Sequence, residues 1–193
     1  MQRCGWVSQD PLYIAYHDTE WGVPQRHNQA LFEMICLEGQ QAGLSWITVL
    51  KKRENYRHAF HHFDPVKVAA MREDDVERLV LDAGIIRHRG KIQAIIGNAR
   101  AFLAMEANGE SFNDFVWSFV DGAPIVTQAA ALGEIPTSTP ASDALSKALK
   151  KRGFKFVGTT ICYSFMQACG LVNDHVTHCF CYPGVQHDKK MEH

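Results

Sequence analysis

Apolar residues recur along this chain at spacings of three and four, with Ala, Leu, Met, Glu, Lys and Arg filling the intervals, and strand-like alternation is scarce. That period predicts helices. The run NQALFEMICLEGQQAG sets Leu31, Ile35 and Glu38 near one face, and Gly43 offers a stop. A second helical run follows, SWITVLKKRENYRHAF, with Ser45 as its candidate cap. Asp64-Pro65 pairs a cap with a first-turn proline and opens a short helix through Met71. Glu73 to Val80 predicts another, broken at Gly84. From about His88 to Met105 the residues Ile92, Ile95, Ile96, Ala99 and Leu103 face a core. Ser142 is the candidate cap of DALSKALKKR, and a last long helix is expected over Thr159 to Cys169, with Gly170 ending it. The expectation is an all-α chain: one helical domain over residues 1–185 and a loosely ordered tail over 186–193, which contains HDKKMEH.

A length of 193 residues, 46% hydrophobic and 21% charged, is enough for a substantial core and too apolar for disorder. No stretch approaches 18 consecutive apolar residues, and MQRCGWVSQDP lacks the apolar run and cleavage site of a signal peptide, so the expected compartment is cytoplasmic. Six cysteines in such a chain are expected to be reduced thiols. A net charge of −1 gives no global reason for a polyanionic partner, and the charge is uneven: Lys51 to Arg57, Arg87 to Lys91 and Lys147 to Lys155 are basic, while Glu73 to Asp82 is acidic. Solvated helix faces explain such clusters as well as a ligand does.

Two constellations carry chemistry. In the first, His175 and Cys179 stand four residues apart, as on one face of a helical turn, and Cys4 and His17 near the other end can complete a Cys2His2 tetrahedron around Zn2+. Four protein ligands leave no open position, so such an ion is structural, and it would tie the terminal segments together. The spacing matches no zinc finger; buried free thiols with surface histidines remain the alternative, and His178 and Cys181 are rival ligands. Cys36, Cys162 and Cys169 fall in apolar helical patterns and are assigned to the core.

The second constellation is aromatic: Trp6, Tyr13, Tyr16 and Trp21, then Trp46 after Glu38. Aromatic walls with one carboxylate suit a planar heterocycle, above all a cationic one, although large aromatics more often fill cores. Glu38 is harder to dismiss, because an uncompensated carboxylate near a core is costly. A weaker feature is VLDAGIIRHRGKIQAIIGNA, two short helices joined by a glycine-containing turn whose backbone amides could face a phosphate, with Arg87, Arg89 and Lys91 adding charge. No GxxxxGK[ST] or HExxH sequence is present, which sets aside a nucleotide P-loop and a zinc hydrolase of that type.

Taken together, RCGWV, YHDTEWG, LEGQQAGLSW, GIIRHRGKI and FKFVGTTICYSFMQACGLVNDH resemble the DNA-3-methyladenine glycosylase I family, from Met1 to about Pro183. The resemblance implies a helix-hairpin-helix glycosylase fold, one structural zinc on Cys4, His17, His175 and Cys179, and monofunctional hydrolysis of the N-glycosidic bond of 3-methyladenine in alkylated duplex DNA after base flipping. It further implies Glu38, Tyr16 and Trp46 as base-recognising residues, with Glu38 carrying the catalytic selectivity, and a pocket shaped by Trp6, Tyr13 and Trp21. The hairpin residues Gly84, Arg87, Arg89, Gly90 and Lys91 are expected at DNA phosphates, and Gly43 and Leu44 near the vacated base stack. Asp114 and Asp121 are assigned no catalytic part, and the expected state is a monomer without an obligate protein partner.

Overall fold

The computed structural model describes residues 1–183; the expected division at 185 and the tail lie outside the described residues. Among the described residues, ten α-helices account for about half: α1 (Pro11–Thr19), α2 (Asn28–Gln40), α3 (Trp46–Leu50), α4 (Arg53–Ala59), α5 (Pro65–Ala69), α6 (Glu73–Leu79), α7 (Arg89–Ala107), α8 (Phe112–Trp117), α9 (Pro140–Lys151) and α10 (Thr159–Ala168). Among the described residues none of these is long and apolar enough to cross a membrane.

One contiguous core runs through the molecule. Leu31, Phe32 and Ile35 of α2 meet Ile92, Ile95 and Phe102 of α7, with Leu145 and Leu149 of α9 and Phe165 and Met166 of α10, all essentially inaccessible. The helical period therefore places α2 at the centre, packed on α7, α8 and α10. Whatever polar group the inner face of α2 carries must lie deep in the protein.

Local chemistry explains most element ends. Asp64 accepts from the amides of Val66 and Lys67 to start α5, with Pro65 at the first position. At the end of α10, Gly170 has φ +73°, and an added Cβ would overlap the backbone of Val23 and Pro24, so only glycine lets that segment cross the helix end.

Three local expectations are corrected. The run from Ser45 to Phe60 is two helices, because the chain turns at Lys51 and Lys52. That turn points Arg53 at Glu20, which it grips with two bonds of 2.8 and 2.9 Å, while the Ser45 hydroxyl pairs with Thr48 and makes no cap bond. Thr139, not Ser142, caps α9: Pro140 occupies the first turn and Ser142 closes a reciprocal box with Thr139. The segment from Asp174 to Cys179 is irregular chain leading into a turn rather than a helix. Its approach is fixed by a parallel pair the helical pattern does not predict, β1 (Ile125–Val126) beside β2 (Val172–Asn173).

Candidate functional site

Because α2 is central, its polar residue Glu38 ends up 2% exposed, at the base of a cavity of about 290 Å³. Helix α1 and its flanks supply Trp6, Tyr13, Tyr16 and Trp21, and α3 supplies Trp46, so the cavity gathers all six residues expected in the pocket. The rings are mutually braced: Trp6 lies 5.0 Å from both Tyr13 and Trp21, and Tyr16 lies 5.6 Å from Trp46 between centroids.

Electrostatically the cavity is unfinished. Burial pushes the Glu38 carboxyl up to about 8, and its Oε2 has no hydrogen-bond partner. Trp6 Nε1, Trp46 Nε1 and Gln41 Oε1 are also buried and unpartnered. Buried orphan donors and acceptors are rare in folded proteins, and these four line one cavity walled by flat rings. The arrangement suits a planar polar molecule and favours a positively charged one, which would return Glu38 to its ionised form.

Sequence reasoning did not single out the opposite wall. Thr160, Tyr163, Ser164 and Gln167 of α10 line the cavity, together with Leu132 and residues 135–137. Their spacing of three, four and seven along an otherwise apolar helix is a polar stripe, and that is the signal that would have found them. Gln41, at the end of α2, also belongs to the lining. Asp114 and Asp121 are not among the lining residues; Glu38 is the only carboxylate among those described there.

Behind the aromatic wall, Cys4, His17, His175 and Cys179 are all buried, with their donor atoms within 4.8 Å of one another. Cys4 Sγ is 3.6 Å from His175 Nδ1, and Cys179 Sγ is 3.5 Å from His17 Nε2 and 3.6 Å from His175 Nδ1. The outer nitrogens are engaged: His17 Nδ1 meets Asp18 at 2.7 Å and His175 Nε2 meets the Trp21 carbonyl at 2.9 Å. Those partners call for N–H on the outer atoms and turn both inner lone pairs to the centre of the cluster. Thiol hydrogen bonds from Cys181 and Cys4 push the Cys179 thiol well below its ordinary range, the direction that suits a thiolate ligand. These four residues could hold a metal ion. Of the rivals, His178 is exposed, while Cys181 lies beside the cluster, its amide donating to Cys179 Sγ at 3.4 Å.

The Cys/His cluster and the cavity share walls. Trp21 stands edge-on to His175 at 4.7 Å, and Trp6 lies 5.3 Å from His17. Tyr16 and His17 are successive residues of α1, one facing each site.

The turn between α6 and α7 is pinned to α4. Lys52 Nζ donates to the Ala83 carbonyl and Asn55 Nδ2 to that of Gly84; a Cβ at Gly84 would come within 3.1 Å of Asn55. His88 caps α7, accepting from the Lys91 amide, and Gly90 leaves room for its ring. Arg87 is exposed, whereas Arg89 is shared by Glu73 and Glu77. Lys91 departs from the expected phosphate-facing surface charge. Its ammonium turns inward, donating to the carbonyls of Gln40 at 2.9 Å and Ala42 at 2.6 Å, and the residue is 5% exposed. In the turn that Lys91 holds, Gly43 has φ +77° and Leu44 projects into solvent, next to Gln41 at the cavity.

Comparison with known proteins agrees with this geometry. Residues 6–182 match the sequence profile of the family described as methyladenine glycosylase. The chain is 84% identical over 184 residues to DNA-3-methyladenine glycosylase 1 of Escherichia coli K12, covering 95% of this chain and 98% of that protein. A crystal structure of 3-methyladenine DNA glycosylase I superposes with a TM-score of 0.94 at 81% identity, covering 94% of this chain and all of the other. A variant of 3-methyladenine DNA glycosylase I in complex with 3-methyladenine superposes at 0.91 with 41% identity, over 95% and 98% of the two chains. A profile match and an identity of this extent place the chain in the methyladenine glycosylase family.

Proposed function

We propose that this protein is a monofunctional DNA glycosylase that removes 3-methyladenine from alkylated duplex DNA, leaving an abasic site. The observation that carries the reading is Glu38: a carboxyl buried without a hydrogen-bond partner on one oxygen, at the base of an aromatic cavity. A neutral adenine offers that group no opposite charge, whereas a 3-methylated adenine is a cation. Family membership and the relative in complex with 3-methyladenine support the same assignment.

Chemistry follows from charge. A cationic base leaves as a neutral molecule, so bond cleavage needs little leaving-group protonation. With Glu38 as the only carboxylate among the described cavity residues, selectivity rests on binding the flipped base rather than on an acid–base pair. Tyr16 and Trp46, with Trp6, Tyr13 and Trp21, hold the ring and exclude water, while Glu38 opposes its charge. Helix α6, the turn through Gly84 to His88 and helix α7 are read as the helix-hairpin-helix that grips DNA, with the Gly43 and Leu44 turn facing the gap left by the base. Arg87 is the hairpin cation best placed for a phosphate, since Arg89 is shared and Lys91 is turned inward.

The metal is read as zinc. Tetrahedral zinc with ordinary Zn–S and Zn–N lengths sets sulfur and nitrogen about 3.6 Å apart. Three of the cluster's four S···N pairs stand 3.5 to 3.6 Å apart. Bound there, the ion would crosslink the segment carrying Cys4 and His17 to that carrying His175 and Cys179, with no catalytic step.

The deciding experiment is incubation of the protein with duplexes containing 3-methyladenine or 7-methylguanine, with released base identified by mass spectrometry. Release confined to 3-methyladenine supports the reading. Release of both bases indicates a broader alkylbase glycosylase, and release of neither overturns it.

A further inference from the structure

The hairpin is poorer in available charge than its sequence suggests. Of its cations, Lys91 is committed to carbonyls of the α2 end and Arg89 to Glu73 and Glu77, which leaves Arg87 as the hairpin cation without an ion pair among the described residues. A grip on a polyanion is built from several phosphate neutralisations, so a neighbouring element should contribute.

Residues 153–158, the loop between α9 and α10, lie between the hairpin and the cavity. On one side the Phe156 ring stands edge-on to His88, the cap of the hairpin helix, at 6.0 Å. On the other, the Phe156 backbone presses on Gly39 of α2, where a Cβ would come within 3.1 Å of its carbonyl, and Thr160 just beyond the loop lines the cavity. Phe156 is 36% exposed, Lys155 is exposed, and Lys155 has no ion pair among the described residues. The loop is held rigidly in this place: buried Asn98 accepts from the Lys155 amide at 2.9 Å and donates to its carbonyl at 3.4 Å. Phe156 adopts φ +56°, a strained conformation for a bulky residue, and the strain presents an aromatic ring to solvent beside a free ammonium.

We propose that this loop is a second DNA-contacting element, in which Lys155 meets a backbone phosphate and Phe156 lies against the adjoining sugar of the strand that carries the flipped nucleotide. The proposal rests on the glycosylase reading. A strand whose phosphates are held at the hairpin and whose base enters the cavity must pass over the residues between them, and Phe156 occupies that interval.

The test is fluorescence anisotropy with a duplex carrying a tetrahydrofuran abasic analogue, over a salt series. Lys155→Ala is expected to weaken binding about fivefold to tenfold at low salt and to flatten the slope of log K against log salt by about 0.9, one phosphate's worth. Phe156→Ala is expected to weaken binding about fivefold with the slope unchanged. Both variants should keep the parent's affinity for free 3-methyladenine, read by tryptophan fluorescence, because neither side chain lines the cavity. Parental affinity and slope in both variants would overturn the proposal, as would a loss of free-base affinity, which would assign the loop to the cavity. A parent protein that neither binds the duplex nor releases base would overturn the glycosylase reading itself.

Discussion

Glu38 is held neutral by its own burial, and that has two measurable consequences of opposite sign. For stability, a carboxyl whose folded value is raised from 4.5 to about 8 contributes fully below the lower value and loses that contribution as pH rises toward the upper one. Glu38→Gln escapes this loss. Thermal denaturation of parent and variant should therefore diverge between about pH 5 and pH 8, with the variant more stable at the alkaline end by on the order of 3 kcal/mol. For function, the ionised form is the one that opposes a cationic base, so kcat/KM for a 3-methyladenine duplex should climb with pH toward about 8 in the parent. The variant should show a lower and flatter profile; coincident profiles would remove Glu38 from recognition.

Lys91 acts at the scale of elements. Its ammonium joins the start of α7 to the turn after α2, and the tie is doubled by Gln40, whose Nε2 donates to the Lys91 carbonyl at 3.0 Å. Gln40 Oε1 accepts from Tyr56, whose hydroxyl in turn accepts from the Ile86 amide in the hairpin. Lys91→Met leaves the buried Gln40 carbonyl and the half-buried Ala42 carbonyl without their donor, at a cost of about 1–3 kcal/mol, which a shift in urea midpoint at unchanged m-value would register. Loss of the tie should also loosen the Gly43 and Leu44 turn, read as faster amide exchange there. The same residue shows what a sequence makes legible. The period of α7 and the inward face of Glu38 follow from spacing alone, because three- and four-residue recurrence is a local property. Whether Lys91 points to water or to the carbonyls of a helix more than 40 residues earlier depends on how two elements meet, which spacing does not encode. The two helices where Ser45 to Phe60 reads as one, and the cap at Thr139, have the same origin: tertiary bonds and a first-turn proline outweigh a continuous pattern. The α10 stripe was legible in principle, but its polar residues sit in a segment whose apolar content draws attention to the core.

For the whole molecule, the Cys2His2 cluster, read as a metal site, is a clasp whose residues alternate with pocket walls: Cys4 precedes Trp6, Tyr16 precedes His17, and His175 touches Trp21. Cys179→Ala should abolish stoichiometric zinc by elemental analysis and lower the thermal midpoint, as removal of a buried crosslinking ion does. Because the walls are shared, it should also weaken binding of free 3-methyladenine even though Cys179 is not a lining residue. Unchanged metal content would exclude Cys179 as a ligand; lost metal with full base affinity would show the pocket walls to be self-supporting.

The clasp also sets a timetable for the growing chain. Cys4 and His17 leave the ribosome well before their partners His175 and Cys179, and the Phe180 amide bonds the carbonyl of Gln2. Until those late residues emerge, the walls made by Trp6, Tyr16 and Trp21 lack the neighbours that fix their ring angles. Nascent or truncated chains could hold the helical core without a formed base pocket, so the protein should acquire the ability to bind a base only after the segment carrying His175 and Cys179 has been made.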